Sequence, residues 1–283
     1  MKFDLVISDF DRTLGGKPKE FETNGAMNDE KDLRMSFPEP SVNAIKEYAN
    51  KGGIFVICTG RATEMILPLC RKKGLKGLVV SFQGARITDI ETGKDLLRGG
   101  VDKDLAIQVA KELKEEKGVV ATVCYIDEIQ YLDKENVYTD ICSTFLKTQK
   151  VESIADTIMG KGIDPYKLVA VCAPEDVKDL ENKYNGKYDG VLSFNSGADI
   201  ICEVINPKLD KGSAVRFLAK HYGIPYDKIM AVGDSSNDIP LVDGEWFGVS
   251  VGDGHEKLKE VADEITVDFK DHPVKVLLEK YCL

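Results

Sequence analysis

The sequence predicts an α/β protein: a doubly wound, Rossmann-like parallel sheet core interrupted by an inserted α+β cap domain. Three observations carry this expectation. Short apolar runs bounded by Gly or Asp recur towards both ends of the chain, the form taken by strands buried on both faces. Amphipathic stretches of helical period separate them, as in a parallel sheet with crossover helices. In the middle of the chain, hairpin signals replace that alternation, so a second sheet is spliced into the first.

Taken in order, the buried-strand runs are Leu5–Ser8, Ile54–Cys58, Leu78–Ser81 and residues 229–232, with a weaker one at 247–251. Apolar residues at helical spacing predict helices over 41–51, 63–73, 211–222, 237–242, 256–262 and 273–281. The segments 85–90 and 95–97 flank Glu91-Thr92-Gly93-Lys94, a turn sequence that joins them as a hairpin. A helix over 102–117 follows, then a second hairpin from 119–126 and 129–132 around Asp127-Glu128. Helix 151–159, strand 167–172, helix 174–184 and strands 190–195 and 199–204 complete the inserted part. The expected division is therefore a core of residues 1–83 and 207–283, with the cap over 84–206. Residues 15–39 are polar, rich in Gly, Pro, Lys and Glu, and long for a connection inside a compact domain. Such a segment is usually functional or disordered, and two readings stand level for it: a mobile flap beside the strand end it follows, or a solvated insertion.

Composition narrows the partners. The 283 residues carry 48 acidic and 38 basic side chains, a net charge of -10, and no basic stripe, so nucleic acid is not expected. Seven scattered cysteines contain no C-x-x-C pair, and several sit in apolar runs, usage that suits a reducing cytosol. The three histidines lack ligand spacing, which disfavours zinc. The N-terminus never reaches a secretory apolar region, and no apolar run approaches the ~20 residues of a membrane span. A cytoplasmic protein with a small-molecule partner is expected, its oligomeric state open.

The chemistry concentrates where strands should stop. Asp9-Phe10-Asp11-Arg12-Thr13 follows the first apolar run, and Gly233-Asp234-Ser235-Ser236-Asn237-Asp238 follows that at 229–232. Residues two apart on a strand share a side, so Asp9 and Asp11 can face one reacting group. Carboxylates gathered at the strand ends of one sheet suit a hard cation. Such a cation would neutralise a phosphomonoester, letting Asp9 attack phosphorus while Asp11 protonates the leaving oxygen. Thr59, ending another strand beside the amide of Gly60, can donate to phosphoryl oxygens, although a helix N-cap is the plainer role for it. Lys211 opens a helix, where a cation opposes the dipole, so its presence invites a functional reading. Arg61 is an alternative partner for a neighbouring acid.

At these residues the chain resembles the haloacid dehalogenase superfamily phosphatases, and within them the Cof-like branch with a large cap. Four motifs carry the likeness, in family order: Asp9-Phe10-Asp11-Arg12-Thr13-Leu14, Ile57-Cys58-Thr59-Gly60-Arg61, the lysine of Asp210-Lys211-Gly212, and Gly233-Asp234-Ser235-Ser236-Asn237-Asp238-Ile239-Pro240. The resemblance implies a Mg²⁺-dependent phosphomonoester hydrolase working through an aspartyl-phosphate. Asp9 would be the nucleophile and Asp11 the general acid, then base. Mg²⁺ would sit at Asp9, the Asp11 backbone carbonyl and Asp234, with Asp238 in the metal cluster and Asn237 and Asp238 supporting the metal and Lys211. Asp11, Thr59, Gly60, Lys211 and Asn237 would contact the phosphoryl group. The substrate would be a small phosphorylated metabolite, a sugar phosphate foremost, chosen largely by a cap closing over the metal site.

The chain departs from the pattern at four places. Gln83-Gly84-Ala85 stands where the family has Asn-Gly-Ala, Arg12 where glycine is common, and Gly252-Asp253-Gly254 where Asn-Ala is common. The fourth is the long segment 15–39. Three other readings share the residues: a phosphomutase or phosphotransferase using the same aspartyl-phosphate, a phospho-aspartate signalling module, and a silent binding protein. The chain is more than twice the length of a receiver domain and supplies Asp11 to hasten dephosphorylation, which opposes signalling.

Overall fold

The computed structural model describes residues 1–16, 36–136, 139 and 146–283. Its strands, in chain order, are β1 (Leu5–Ser8), β2 (Ile54–Cys58), β3 (Leu78–Ser81), β4 (Arg86–Asp89), β5 (Asp95–Arg98), β6 (Val119–Ile126) and β7 (Ile129–Leu132). They continue with β8 (Lys147–Lys150), β9 (Lys167–Cys172), β10 (Ser193–Ala198), β11 (Ile201–Ile205), β12 (Ile229–Gly233), β13 (Phe247–Ser250) and β14 (Glu264–Ile265). The described α-helices are α1 (Glu39–Asn50), α2 (Thr63–Lys72), α3 (Lys103–Glu115), α4 (Ile154–Lys161) and α5 (Val177–Lys187). After them come α6 (Lys211–Tyr222), α7 (Ile239–Val242), α8 (Glu256–Val261) and α9 (Pro273–Tyr281). None of these is long and apolar enough to cross a membrane.

The chain forms two compact units, Met1–Leu96 with Asp210–Leu283, and Leu97–Leu209. The first is built on a sheet of order β14-β13-β12-β1-β2-β3-β4-β5. β1 runs parallel to both β12 and β2, with Ser8 opposite Val232 on one side and Ile57 on the other. Chain order therefore reverses between β1 and β12, the switch point outside which α/β sheets bind ligands. The strands are apolar throughout because helices cover both faces: Leu5, Val6 and Ile7, and likewise Ile229 to Val232, are wholly buried. On one face Val6, Val79, Met230 and Val232 pack with Val42 and Tyr48 of α1, Ile66 of α2 and Leu277 of α9. α6 lies close against α7, an approach that requires Gly212, since a Cβ there would meet the Pro240 carbonyl at 2.3 Å.

The division falls later than the expected 83/84 and 206/207. The hairpin β4–β5, assigned from its turn sequence to the inserted part, instead extends the core sheet antiparallel to β3. Arg86 fastens it, donating to Glu64 of α2 at 2.7 Å and to Asp95 of β5 at 2.9 Å. The second unit has a six-stranded sheet of order β10-β11-β9-β6-β7-β8. Leu168, Ala170, Cys202 and Val204 of that sheet bury against Val109 and Leu113 of α3, Ile158 of α4 and Leu180 of α5.

Several expected elements shift by a few residues. α4 starts at Ile154 rather than 151 because the Ser153 side chain caps it, accepting from Asp156 N. The expected helix 237–242 divides into a 3₁₀ turn, Ser236–Asp238, and the single turn α7. The segment 15–39, read as a flap or a solvated insertion, lies outside the described residues from 17 to 35. Its ends are joined, Gly16 and Ser36 exchanging backbone hydrogen bonds of 3.1 and 2.6 Å. The six cysteines among the described residues are free and buried.

Candidate active site

Parallel pairing brings the ends of β1, β2 and β12 to one edge of the core sheet. Asp9 directly follows β1, its amide donating to the Val232 carbonyl at 2.9 Å, and the residue is only 5% exposed. Asp234 directly follows β12. The 3₁₀ turn then brings Asp238 back beneath it, and a capping box with Ser235 holds that turn. Gly233 makes room for this return, because a Cβ there would meet the Asp238 side chain at 2.5 Å. One carboxylate oxygen from each of Asp9, Asp234 and Asp238 falls within 4.8 Å of the others.

Lys211 binds the cluster together. Asp210 caps α6 by accepting from Ser213 N, which sets Lys211 as the first helical residue, pointing inward and 1% exposed. Its ammonium donates to Asp9 Oδ1 at 2.5 Å and Asp238 Oδ1 at 2.6 Å. Asp238 Oδ2 accepts from the amides of Asp234 and Ser235 at 3.1 and 3.0 Å, so both its oxygens are engaged. Burial disfavours the Lys211 charge, but Asp238 and Asp9 outweigh it and hold the ammonium well above its usual range. Burial and the Asp238 charge push the Asp9 carboxyl well up, with Lys211 opposing them. The same two causes, burial and then Asp238, raise Asp234 to about 7. Two of the three carboxylates, Asp9 and Asp238, share the Lys211 ammonium, and the surplus acidic oxygens of the cluster fit a divalent hard cation.

Asp11 is placed differently. Its side chain is 46% exposed, and Arg61 grips both oxygens, Nε to Oδ2 at 2.7 Å and Nη2 to Oδ1 at 2.6 Å. Arg61 is thus the fixed partner of Asp11. Thr59 is buried at the end of β2, and its Oγ1 accepts from Arg61 N at 3.2 Å, leaving the hydroxyl proton free to be donated. Asn237 is exposed on the 3₁₀ turn, and among the described residues its side chain bonds to none of these groups.

Two contacts were not singled out in the sequence. Thr13 Oγ1 donates to Asp234 Oδ1 at 3.2 Å, tying the first acidic cluster to the second. Arg12, in the left-handed region at φ 56°, reaches Asp253 at 2.8 Å, and Asp253 in turn accepts from Phe269 N. Arg12 and Asp253 are both departures from the family pattern, and the structure pairs them. That coincidence was the available signal.

Comparison with known proteins agrees with this geometry. A model of the haloacid dehalogenase-like hydrolases matches residues 30–278. A phosphoglycolate phosphatase of Methanosarcina acetivorans is 39% identical over 267 residues, 94% of this chain and 91% of its own. The endoribonuclease YBEY of Arabidopsis thaliana chloroplasts is 25% identical over 99% of this chain but 47% of its own, so the chain spans about half of that protein. Among solved structures, a Plasmodium vivax protein described as a HAD/COF-like hydrolase superposes with a TM-score of 0.78 at 25% identity, over 99% of this chain and 95% of its own. The chain belongs to the haloacid dehalogenase-like hydrolase family. Within that family it is a phosphatase of the Cof-like branch.

Proposed function

We propose that the chain is a Mg²⁺-dependent phosphomonoesterase that passes the phosphoryl group through an aspartyl-phosphate on Asp9. Its substrate is a small phosphorylated metabolite, a sugar phosphate being the expected class. The observation that carries this reading is the buried Asp9 carboxylate, held by Lys211 beside Asp234 and Asp238 at the switch point of the sheet. The Asp9 and Asp234 carboxylates and the Asp11 backbone carbonyl would hold the ion, with Asp238 bracing Lys211 and the Asp234 amide. Bound there, Mg²⁺ would screen the charge of the incoming phosphoryl group.

In the first half-reaction an Asp9 oxygen bonds to phosphorus, the bond to the leaving oxygen breaks, and Asp11 supplies that oxygen with a proton. In the second, Asp11 takes a proton from water, the water oxygen bonds to phosphorus, and the Asp9–phosphorus link breaks to release phosphate. Thr59, the Gly60 amide and Lys211 orient the phosphoryl oxygens. Both Asp11 oxygens accept from Arg61, so reaching the leaving oxygen requires one of those bonds to open.

The test is phosphate release from sugar phosphates, nucleotides, a chromogenic phosphomonoester and 2-phosphoglycolate, with Mg²⁺ and with EDTA. Release that survives chelation would exclude the metal, and silence from folded protein that binds Mg²⁺ would count against hydrolysis of these esters and favour a mutase, a signalling module or a substrate outside the panel. Asp11→Asn should slow turnover about 10²–10⁴-fold, the usual size of an acid/base contribution. A ³²P-labelled aspartyl-phosphate should accumulate in that variant, and unchanged turnover would sink the acid/base role. Mg²⁺ affinity should also fall as pH drops through about 7. In the metal-free protein the raised Asp234 carboxyl takes up a proton there, and a protonated carboxyl does not ligate. Calorimetric titrations at pH 6 and 8 would read this, and equal affinities would contradict it.

A further inference from the structure

Arg12 combines a strained backbone with a charge that faces the acid cluster. Its φ of 56° lies in the left-handed region, which glycine adopts without steric cost and a long side chain does not. The tight loop after Asp11 imposes that conformation, Arg12 N donating to the Gly15 carbonyl at 2.7 Å. From there the guanidinium reaches two carboxylates. Nη2 donates to Asp253 Oδ2 at 2.8 Å, while Nε stands 4.0 Å from Asp234 Oδ2, an ion pair without a hydrogen bond. The Thr13 hydroxyl already holds Asp234 Oδ1, and among the described residues Oδ2 accepts no hydrogen bond. A guanidinium that closed the remaining distance would therefore occupy a carboxylate of the metal cluster.

The loop after β13 holds Arg12 back. Its backbone is fastened three times, Gly252 N to the Val267 carbonyl at 3.0 Å, Gly254 N to the Val251 carbonyl at 3.0 Å and His255 N to the Asp234 carbonyl at 2.7 Å. Between these bonds, Asp253 Oδ1 accepts from the N–H of buried Phe269 at 2.9 Å, which fixes the carboxylate and presents Oδ2 to Arg12. The Phe269 ring gives the guanidinium a further contact, its centroid 5.8 Å from Cζ. We propose that Asp253 is a positioning residue that restrains Arg12 and so leaves Asp234 to the metal ion. This rests on the metal-dependent reading and adds to it a cation whose position sets how tightly the ion is held. Two departures from the family pattern then form one feature: an arginine beside Asp234 requires a carboxylate to hold it off.

The experiment is a double-mutant cycle read by calorimetric titration of metal-free protein with Mg²⁺. It uses wild type, Asp253→Asn, Arg12→Gln and the double variant, with thermal melts to establish folding. Asparagine keeps one oxygen, which the buried Phe269 N–H retains, so its NH₂ turns towards the guanidinium and the bond to Arg12 is lost. Asp253→Asn should weaken Mg²⁺ binding about fivefold, the upper range for an ion pair at a partly exposed position. Arg12→Gln should bind Mg²⁺ at least as tightly as wild type, and in that background Asp253→Asn should change affinity by less than about twofold. A loss of the same size in both backgrounds would mean that Asp253 acts without Arg12 and would overturn the proposal. No loss in either, or weaker binding by Arg12→Gln alone, would overturn it too. Wild type that takes up no Mg²⁺ would count against the metal-dependent reading, not against the restraint of Arg12. Metal-free crystals of Asp253→Asn then decide. An Arg12 nitrogen within hydrogen-bond distance of Asp234 supports the proposal, and a guanidinium that stays 4.0 Å away or turns to solvent overturns it.

Discussion

Asp9→Asn should abolish phosphate release, by about three orders of magnitude or more, while leaving the protein folded. The amide keeps the shape of the carboxylate but cannot form the acyl-phosphate, and losing a nucleophile is among the largest single effects on turnover. Stability should be little changed, because Lys211 keeps Asp238 as a partner. A buried carboxyl pushed well up by burial and by Asp238 also burdens the folded state in its charged form. Phosphate release and a thermal melt on the same preparation check both parts. Full activity would remove Asp9 from the mechanism, and loss of the folded state would mean its role is mainly structural.

Lys211→Met should damage both stability and activity. Methionine fills similar volume but leaves the Asp9 and Asp238 carboxylates facing each other in a site where Asp238 and Lys211 are 0–1% exposed. Removing one member of a buried ion pair typically costs about 3–5 kcal/mol. The sign of its pH dependence follows. Burial and Asp238 already push the Asp9 carboxyl well up, and without the opposing ammonium it holds its proton to still higher pH, so the deficit is largest above neutrality and shrinks as pH falls and Asp9 becomes neutral. Urea unfolding of parent and variant at pH 8 and pH 5 would show it. Identical midpoints at pH 8 would mean that Lys211 does not hold the cluster together.

The buried strands were legible because each is a short apolar run cut off by Gly or Asp, and β1, β2 and β3 begin and end where those runs do. β8 was not legible. Its Lys-Thr-Gln-Lys has no apolar face and lies mostly exposed, and only pairing with β7 makes it a strand. β14 is two residues long and exists through its pairing with β13. The first division point was missed for a related reason. Glu91-Thr92-Gly93-Lys94 signals a hairpin wherever it occurs, but which sheet receives that hairpin depends on β3 and on the ion pairs of Arg86.

At the site, residue type and place were readable: carboxylates after two apolar runs, a hydroxyl after a third, a lysine at a helix start. Local chemistry was enough for that, since buried strands, caps and turns each leave a mark within a few residues. Partners across the chain were not readable. That Arg61 grips Asp11, that Thr13 reaches Asp234, that Arg12 meets Asp253, and that Gly60 leaves room for Gln83 are contacts between segments 23 to 241 residues apart. The sequence by itself determined the doubly wound core, the family and the acids at its strand ends. Only the tertiary structure decided how those acids share one ammonium and which residues hold them, because hydrogen-bond geometry and burial come from sheet register and close packing, which bring distant segments within a few ångströms.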